Sequence, residues 1–115
     1  MIKVRDLSKS FSNKKILNNI SFDILNGDSI AIIGQSGTGK SVLLKHLNGL
    51  LKPDLGQISV NNVMINDVSY NELQNIRKKM AMVFQFGALF DSMNVEDNIA
   101  LAIKSLTNLS NKNIA

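Results

Sequence analysis

Residues 2 to 7 alternate apolar and charged side chains (Ile2, Lys3, Val4, Arg5), and this period of two predicts a strand. A polar turn is expected at Ser12-Asn13-Lys14-Lys15, followed by short strands at Ile16-Leu17 and from Ile20 to Leu25. Asn26-Gly27-Asp28 is a hairpin-type turn signal. It feeds Ser29-Ile30-Ala31-Ile32-Ile33, a β-branched apolar run that reads as a buried strand. The spacing then changes to that of a helix over Ser41 to Leu47, ending near Asn48-Gly49, where Gly49 suits a left-handed C-cap. Lys52 to Gly56 is a loop, and Gln57 to Val60 with Val63 to Ile65 form a hairpin around Asn61-Asn62. Tyr70 to Lys79 reads as a short helix capped by Ser69 or Asn71, and Met80 to Phe84 as another buried strand. An apolar loop, Gln85 to Phe90, leads to a helix from Asn94 to Lys104, with Asn94 as cap and Glu96 and Asp97 in its first turn. Residues 105 to 115 are polar and asparagine-rich, as expected of a frayed end.

Between the second of these turns and the first long helix lies Gly34-Gln35-Ser36-Gly37-Thr38-Gly39-Lys40-Ser41, which fits G-x-x-x-x-G-K-[ST]. The motif needs a strand before it and a helix after it, and both are expected here, which argues against a chance glycine-rich turn. Glycines let successive backbone N–H groups point inward at a phosphate, and the helix start adds partial positive charge at the same spot. Lys40 is placed to reach the β- and γ-phosphates, and the Ser41 hydroxyl to ligate Mg²⁺.

Composition narrows the setting. The 115 residues are enough for one small domain, and 44% hydrophobic with 19% charged residues is ordinary for a globular protein. The net charge of +4 is scattered, without a basic stripe interleaved with aromatics, so no nucleic-acid partner is expected. There are no cysteines, hence no disulfide framework and no thiolate metal site. No apolar run approaches the ~18 residues of a membrane span, and the early charges at Lys3, Arg5 and Asp6 do not suit a signal peptide. A cytoplasmic protein, held to a membrane only by a partner, is the expectation.

Three features together resemble the N-terminal part of an ABC-transporter ATPase subunit: Phe11 within Leu7-Ser8-Lys9-Ser10-Phe11, the phosphate loop from Gly34 to Ser41, and Gln85 after the Met80 to Phe84 strand. The resemblance implies an α/β P-loop NTPase fold of ABC ATPase type. It has an N-terminal antiparallel β subdomain, a P-loop strand-helix unit and an incomplete parallel sheet. It implies that ATP and Mg²⁺ are the ligands and that Phe11 lies against the adenine ring, although an aromatic there, taken alone, reads as a core or edge-strand residue. It implies that Gln85 forms the Q-loop, beside Mg²⁺ and the attacking water. Implied partners are a membrane-spanning permease subunit and a second ATPase subunit, with the chain peripheral on the inner face of the cell membrane. The stretch from Phe84 to Ile99 is similar to the ATPase subunit of Mla/MCE-type lipid transporters, formerly called ribonucleotide or toluene-tolerance transporters. By that analogy Phe86, Leu89 and Phe90 help form the groove for a coupling helix of the permease; as plain core residues they need no such role.

The family pattern is incomplete within these residues. There is no Leu-Ser-Gly-Gly signature, no apolar strand ending in Asp-Glu and no switch histidine. His46 falls on the phosphate-loop helix, away from a γ-phosphate, and is expected to be a surface or packing residue. Residues 1–115 are therefore expected to be a partial ATPase domain. It would bind nucleotide without turning it over, either as the first half of the subunit or as an inactive remnant or split-gene half. The strand Ile30 to Ile33 would lack both neighbours, and each buried unpaired N–H or C=O costs about 1–3 kcal/mol. A P-loop nucleotide kinase or GTPase is the remaining reading. Arg5 and Arg77 are the only arginines for a kinase lid, and neither Asn13-Lys14-Lys15-Ile16 nor Asn111-Lys112-Asn113-Ile114 has the guanine-reading aspartate.

Overall fold

The computed structural model describes residues 1–84 and 87–107, with only the backbone of Leu106. Two compact units divide the chain, Met1–Met80 and Ala81–Ala115.

In the first unit, β1 (Ile2–Phe11) and β2 (Lys14–Ile24) form a long antiparallel hairpin. Its turn is Ser12-Asn13, both at positive φ (41° and 65°), as a two-residue hairpin loop with the right twist requires. β2 is one strand where two short ones were expected. The interrupting pair Asn18-Asn19 is absorbed as an irregularity, with Asn19 at φ 51° and its amide donating to Ser8 Oγ at 2.9 Å. A matching irregularity in β1 puts Asp6 at φ 51° and its N–H on Ser21 Oγ at 2.8 Å. These bulges explain the burial pattern. Val4 and Leu7 are three apart, so a regular strand would turn them to opposite faces, yet both are fully buried.

β3 (Leu55–Val60) and β4 (Val63–Met64) make a second hairpin around Asn61-Asn62, at φ 48° and 66°. The sheet order is β2-β1-β3-β4, with every neighbouring pair antiparallel. Two helices belong to this unit, α1 (Lys40–Leu47) and α2 (Tyr70–Arg77). Val4, Leu7, Leu17, Ile58, Val60 and Ile65 form one buried cluster with Leu43 and Leu47 of α1, and Leu73 and Ile76 of α2 pack on its margin. Ser69 caps α2 through a reciprocal pair: its side chain accepts from Glu72 N and its own N–H donates to Glu72 Oε2 at 3.0 Å.

The runs expected as buried strands do not form ladders. Residues 29–33 are irregular, with Ile30, Ile32 and Ile33 exposed, and residues 80–84 leave Val83 and Phe84 exposed. A β-branched run makes a strand only when a neighbouring strand accepts its hydrogen bonds, and here the large apolar side chains of both runs lie mostly toward solvent. The anticipated burial cost therefore does not arise. In the second unit, α3 (Val95–Leu106) begins at Asn94, whose side chain accepts from Asp97 N at 2.7 Å.

Candidate functional site

The phosphate loop follows from its glycines. Gly37 and Gly39 sit at φ 77° and 100°, which side-chain-bearing residues rarely adopt. Gly39 is also pressed against β2: a Cβ there would lie 2.8 Å from Ile16 Cγ2 and 3.2 Å from Ile16 O. The missing side chain thus brings the start of α1 onto the hairpin. Thr38 Oγ1 donates to Gln35 O at 2.7 Å and closes the turn. The Lys40 ammonium folds back into the loop and donates to Gly34 O at 2.7 Å and Gln35 O at 2.5 Å.

The electrostatics of α1 suit an anion at its first turn. Gly39 offers no side chain to cap the first amides, the first turn carries no acidic residue, and Lys45 and His46 lie in the last turn. Those amides, one ammonium and the exposed hydroxyl of Ser41 are the donor set that a polyphosphate with a hard divalent cation uses. Among the described residues no group of three His, Cys, Asp or Glu could hold a metal by itself. A Mg²⁺ here would take most of its ligands from phosphate and water, with Ser41 supplying one oxygen.

The other sequence-predicted residues are placed as follows. Phe11 is the last residue of β1, half-exposed beside the hairpin turn, with the Lys9 ammonium 5.5 Å from its ring centroid. It pairs with Lys14, and Gly39 meets Ile16 and Leu17 farther along the same strand. Three strand residues span about 10 Å, so the aromatic and the phosphate loop share one end of the hairpin. Gln85 and Phe86 lie outside the described residues. Leu89 and Phe90 are exposed, so the plain-core reading does not hold for these two. His46 is fully buried, its Nδ1 lying 2.7 Å from Val42 O, which makes it a packing residue rather than a surface one.

Sequence reasoning did not single out Asp54. Its carboxylate takes Lys9 Nζ at 2.7 Å and Ser10 N at 2.8 Å, and its own N–H donates to Ser8 O at 3.0 Å. Lys9 first, and then the Ser10 amide, hold its carboxyl below the usual carboxylate range. An aspartate in a Pro-Asp loop gives no local hint of a partner 44 residues earlier.

The family model described as "ABC transporter" matches residues 17–114. The chain belongs to the ABC transporter family. Two similar relatives are the methionine import ATP-binding protein MetN of Clostridium tetani, 44% identical over 90% of this chain and 33% of its own length, and the probable ribonucleotide transport ATP-binding protein mkl of Mycobacterium leprae, 43% identical over 92% and 30%. The intermembrane phospholipid transport system ATP-binding protein MlaF of Escherichia coli K12 is 40% identical over 95% of this chain and 40% of its own. Among solved structures, the dimeric bacterial ABC transporter cassette MJ0796 superposes with a TM-score of 0.85 at 30% identity, over 99% of this chain and 52% of that one. The chain therefore spans about a third of the length of these curated relatives. Its fold is that of the ABC ATPase cassettes, with an antiparallel sheet in the N-terminal subdomain.

Proposed function

We propose that this chain is the nucleotide-binding N-terminal half of an ABC transporter ATPase, and that it seats ATP with Mg²⁺ on residues 34–41. The observation that carries this reading is Lys40, held inside the glycine loop with its ammonium on the carbonyls of Gly34 and Gln35. Those contacts are ones a triphosphate would exchange for phosphate oxygens. In the seat, the amides of Gln35 to Ser41 surround the phosphates, Lys40 carries the full charge, Ser41 ligates Mg²⁺ and Phe11 faces the base; the family resemblance assigns Gln85 to Mg²⁺ and the attacking water. Bound Mg-ATP supplies the transferable phosphoryl group. The chain's own residues bind and orient it.

In this reading the cargo is phospholipid, supported by the Phe84 to Ile99 stretch and the likeness to MlaF. The partners are a permease subunit and a second ATPase subunit, which put the chain on the inner face of the membrane. Co-purification with a permease subunit that carries phospholipid, rather than an amino acid, checks the cargo. The 115 residues contain no signature or Asp-Glu strand, so binding without turnover is expected of the chain alone.

Titration of fluorescent Mg-nucleotide against the chain and Lys40→Ala tests the seat. A hydrogen bond to a charged group contributes about 1.5–3 kcal/mol, so affinity should fall roughly 10- to 100-fold. Equal affinity would remove Lys40 and the loop from the site.

A further inference from the structure

Phe11 ends β1 at the hairpin turn, and three contacts converge on the residues just before it. Asp54 N donates to Ser8 O at 3.0 Å, Asp54 Oδ2 accepts from Ser10 N at 2.8 Å and Asp54 Oδ1 accepts from Lys9 Nζ at 2.7 Å. One loop residue thus grips Ser8, Lys9 and Ser10 in succession. The same Lys9 ammonium stands over the Phe11 ring, 5.5 Å from its centroid. A cation at that distance is attracted to the ring face and draws electron density from it. The ammonium then lies against one face of the aromatic and favours that orientation of the ring.

We propose that Asp54 is a positioning residue for nucleobase recognition, fixing Lys9 and the end of β1 so that Phe11 presents its uncovered face to a purine. This rests on the reading that Phe11 faces the base. Asp54 touches no nucleotide; it acts through Lys9 and the Ser10 amide. The arrangement also separates two tasks. The phosphate loop binds any polyphosphate, whereas the Asp54–Lys9–Phe11 set discriminates for a flat base.

That separation supplies the test. Binding of Mg-ATP and of Mg-tripolyphosphate, which has the phosphates and no base, is measured on the full chain and on Asp54→Asn, Asp54→Ala, Lys9→Met and Phe11→Ala, with melting temperatures alongside. Asp54→Ala and Lys9→Met should weaken ATP about three- to tenfold, a part of what base stacking contributes, and leave tripolyphosphate unchanged. Phe11→Ala should weaken ATP at least as much. Asp54→Asn, which keeps one acceptor, should fall between wild type and Asp54→Ala, and it carries the test if Asp54→Ala does not fold. If Phe11→Ala weakens ATP while the Asp54 and Lys9 variants bind it normally, the positioning role is overturned and the Phe11 reading stands. If Phe11→Ala binds ATP as wild type does, the Phe11 reading itself fails. Equal losses for ATP and tripolyphosphate would make Asp54 a general support of the fold and overturn the proposal.

Discussion

Gly39 meets two demands, and both concern the absence of a side chain. Its φ of 100° is unfavourable for any residue with a Cβ, and its approach to Ile16 leaves no room for one. Gly39→Ala should cost about 1–2 kcal/mol in backbone strain alone and push α1 off the hairpin, so Mg-nucleotide affinity should fall together with the melting temperature. That demand is legible in the sequence, because the glycine spacing encodes a local backbone path. Asp54 is not legible, because its role depends on which strand end the loop after α1 meets. The same carboxylate makes stability depend on pH. Its folded pKa is depressed, with Lys9 as the first cause, so its contribution is present above the unfolded carboxylate value of about 3.9 and is lost as pH falls through the folded value. Asp23, paired with Arg5, and Glu72, bonded to Ser69, shift the same way. The melting-temperature gap between wild type and Asp54→Asn should therefore be constant above about pH 5 and close below about pH 4. A gap that widens on acidification would contradict this assignment.

The elements differ in how much of them is local. The start of α2 is written in Ser69-Tyr70-Asn71-Glu72, and the start of α3 in Asn94 with Asp97, because a cap and its partner are three residues apart. Ser69→Ala should accordingly cost about 1 kcal/mol, readable as a shift in denaturant midpoint with unchanged slope. β1 and β2 were harder to read. Their bulges break the period of two, so the Asn18-Asn19 pair looked like the gap between two strands. What keeps the strand continuous is a set of cross-strand hydroxyls, Ser8 on Asn19 N and Ser21 on Asp6 N, which no window on either strand reveals. The bulges bring Leu7 to the core, where it is wholly buried. Leu7→Ala should then cost about 2–5 kcal/mol, several times the loss of the cap. If the two variants were equally mild, Leu7 would not be part of a packed core.

At the scale of the whole chain, the sequence and the structure disagree most where the apolar runs are purest. Residues 29–33 and 80–84 have the composition of central strands, and central strands need neighbours on both sides. Among the described residues neither run belongs to the four-stranded sheet, and Ile33 and Val83 are 94% and 92% exposed. Patterning foretold what these segments are suited to, but not the company they have. Exposed apolar runs outside the sheet are templates for another chain, so the chain should self-associate as its concentration rises. Ile33→Lys with Val83→Lys places a charge on each run at solvated positions, where it costs little folding energy. The double variant should stay monomeric by light scattering at concentrations where the wild type associates, with its melting temperature little changed. Limited proteolysis should cut both segments before the β1–β2 hairpin, whose two strands are mutually bonded along their length. A cooperative melt with protease resistance across residues 29–85, or a double variant that unfolds, would show these runs to be packed and the nucleotide-binding half to be self-sufficient.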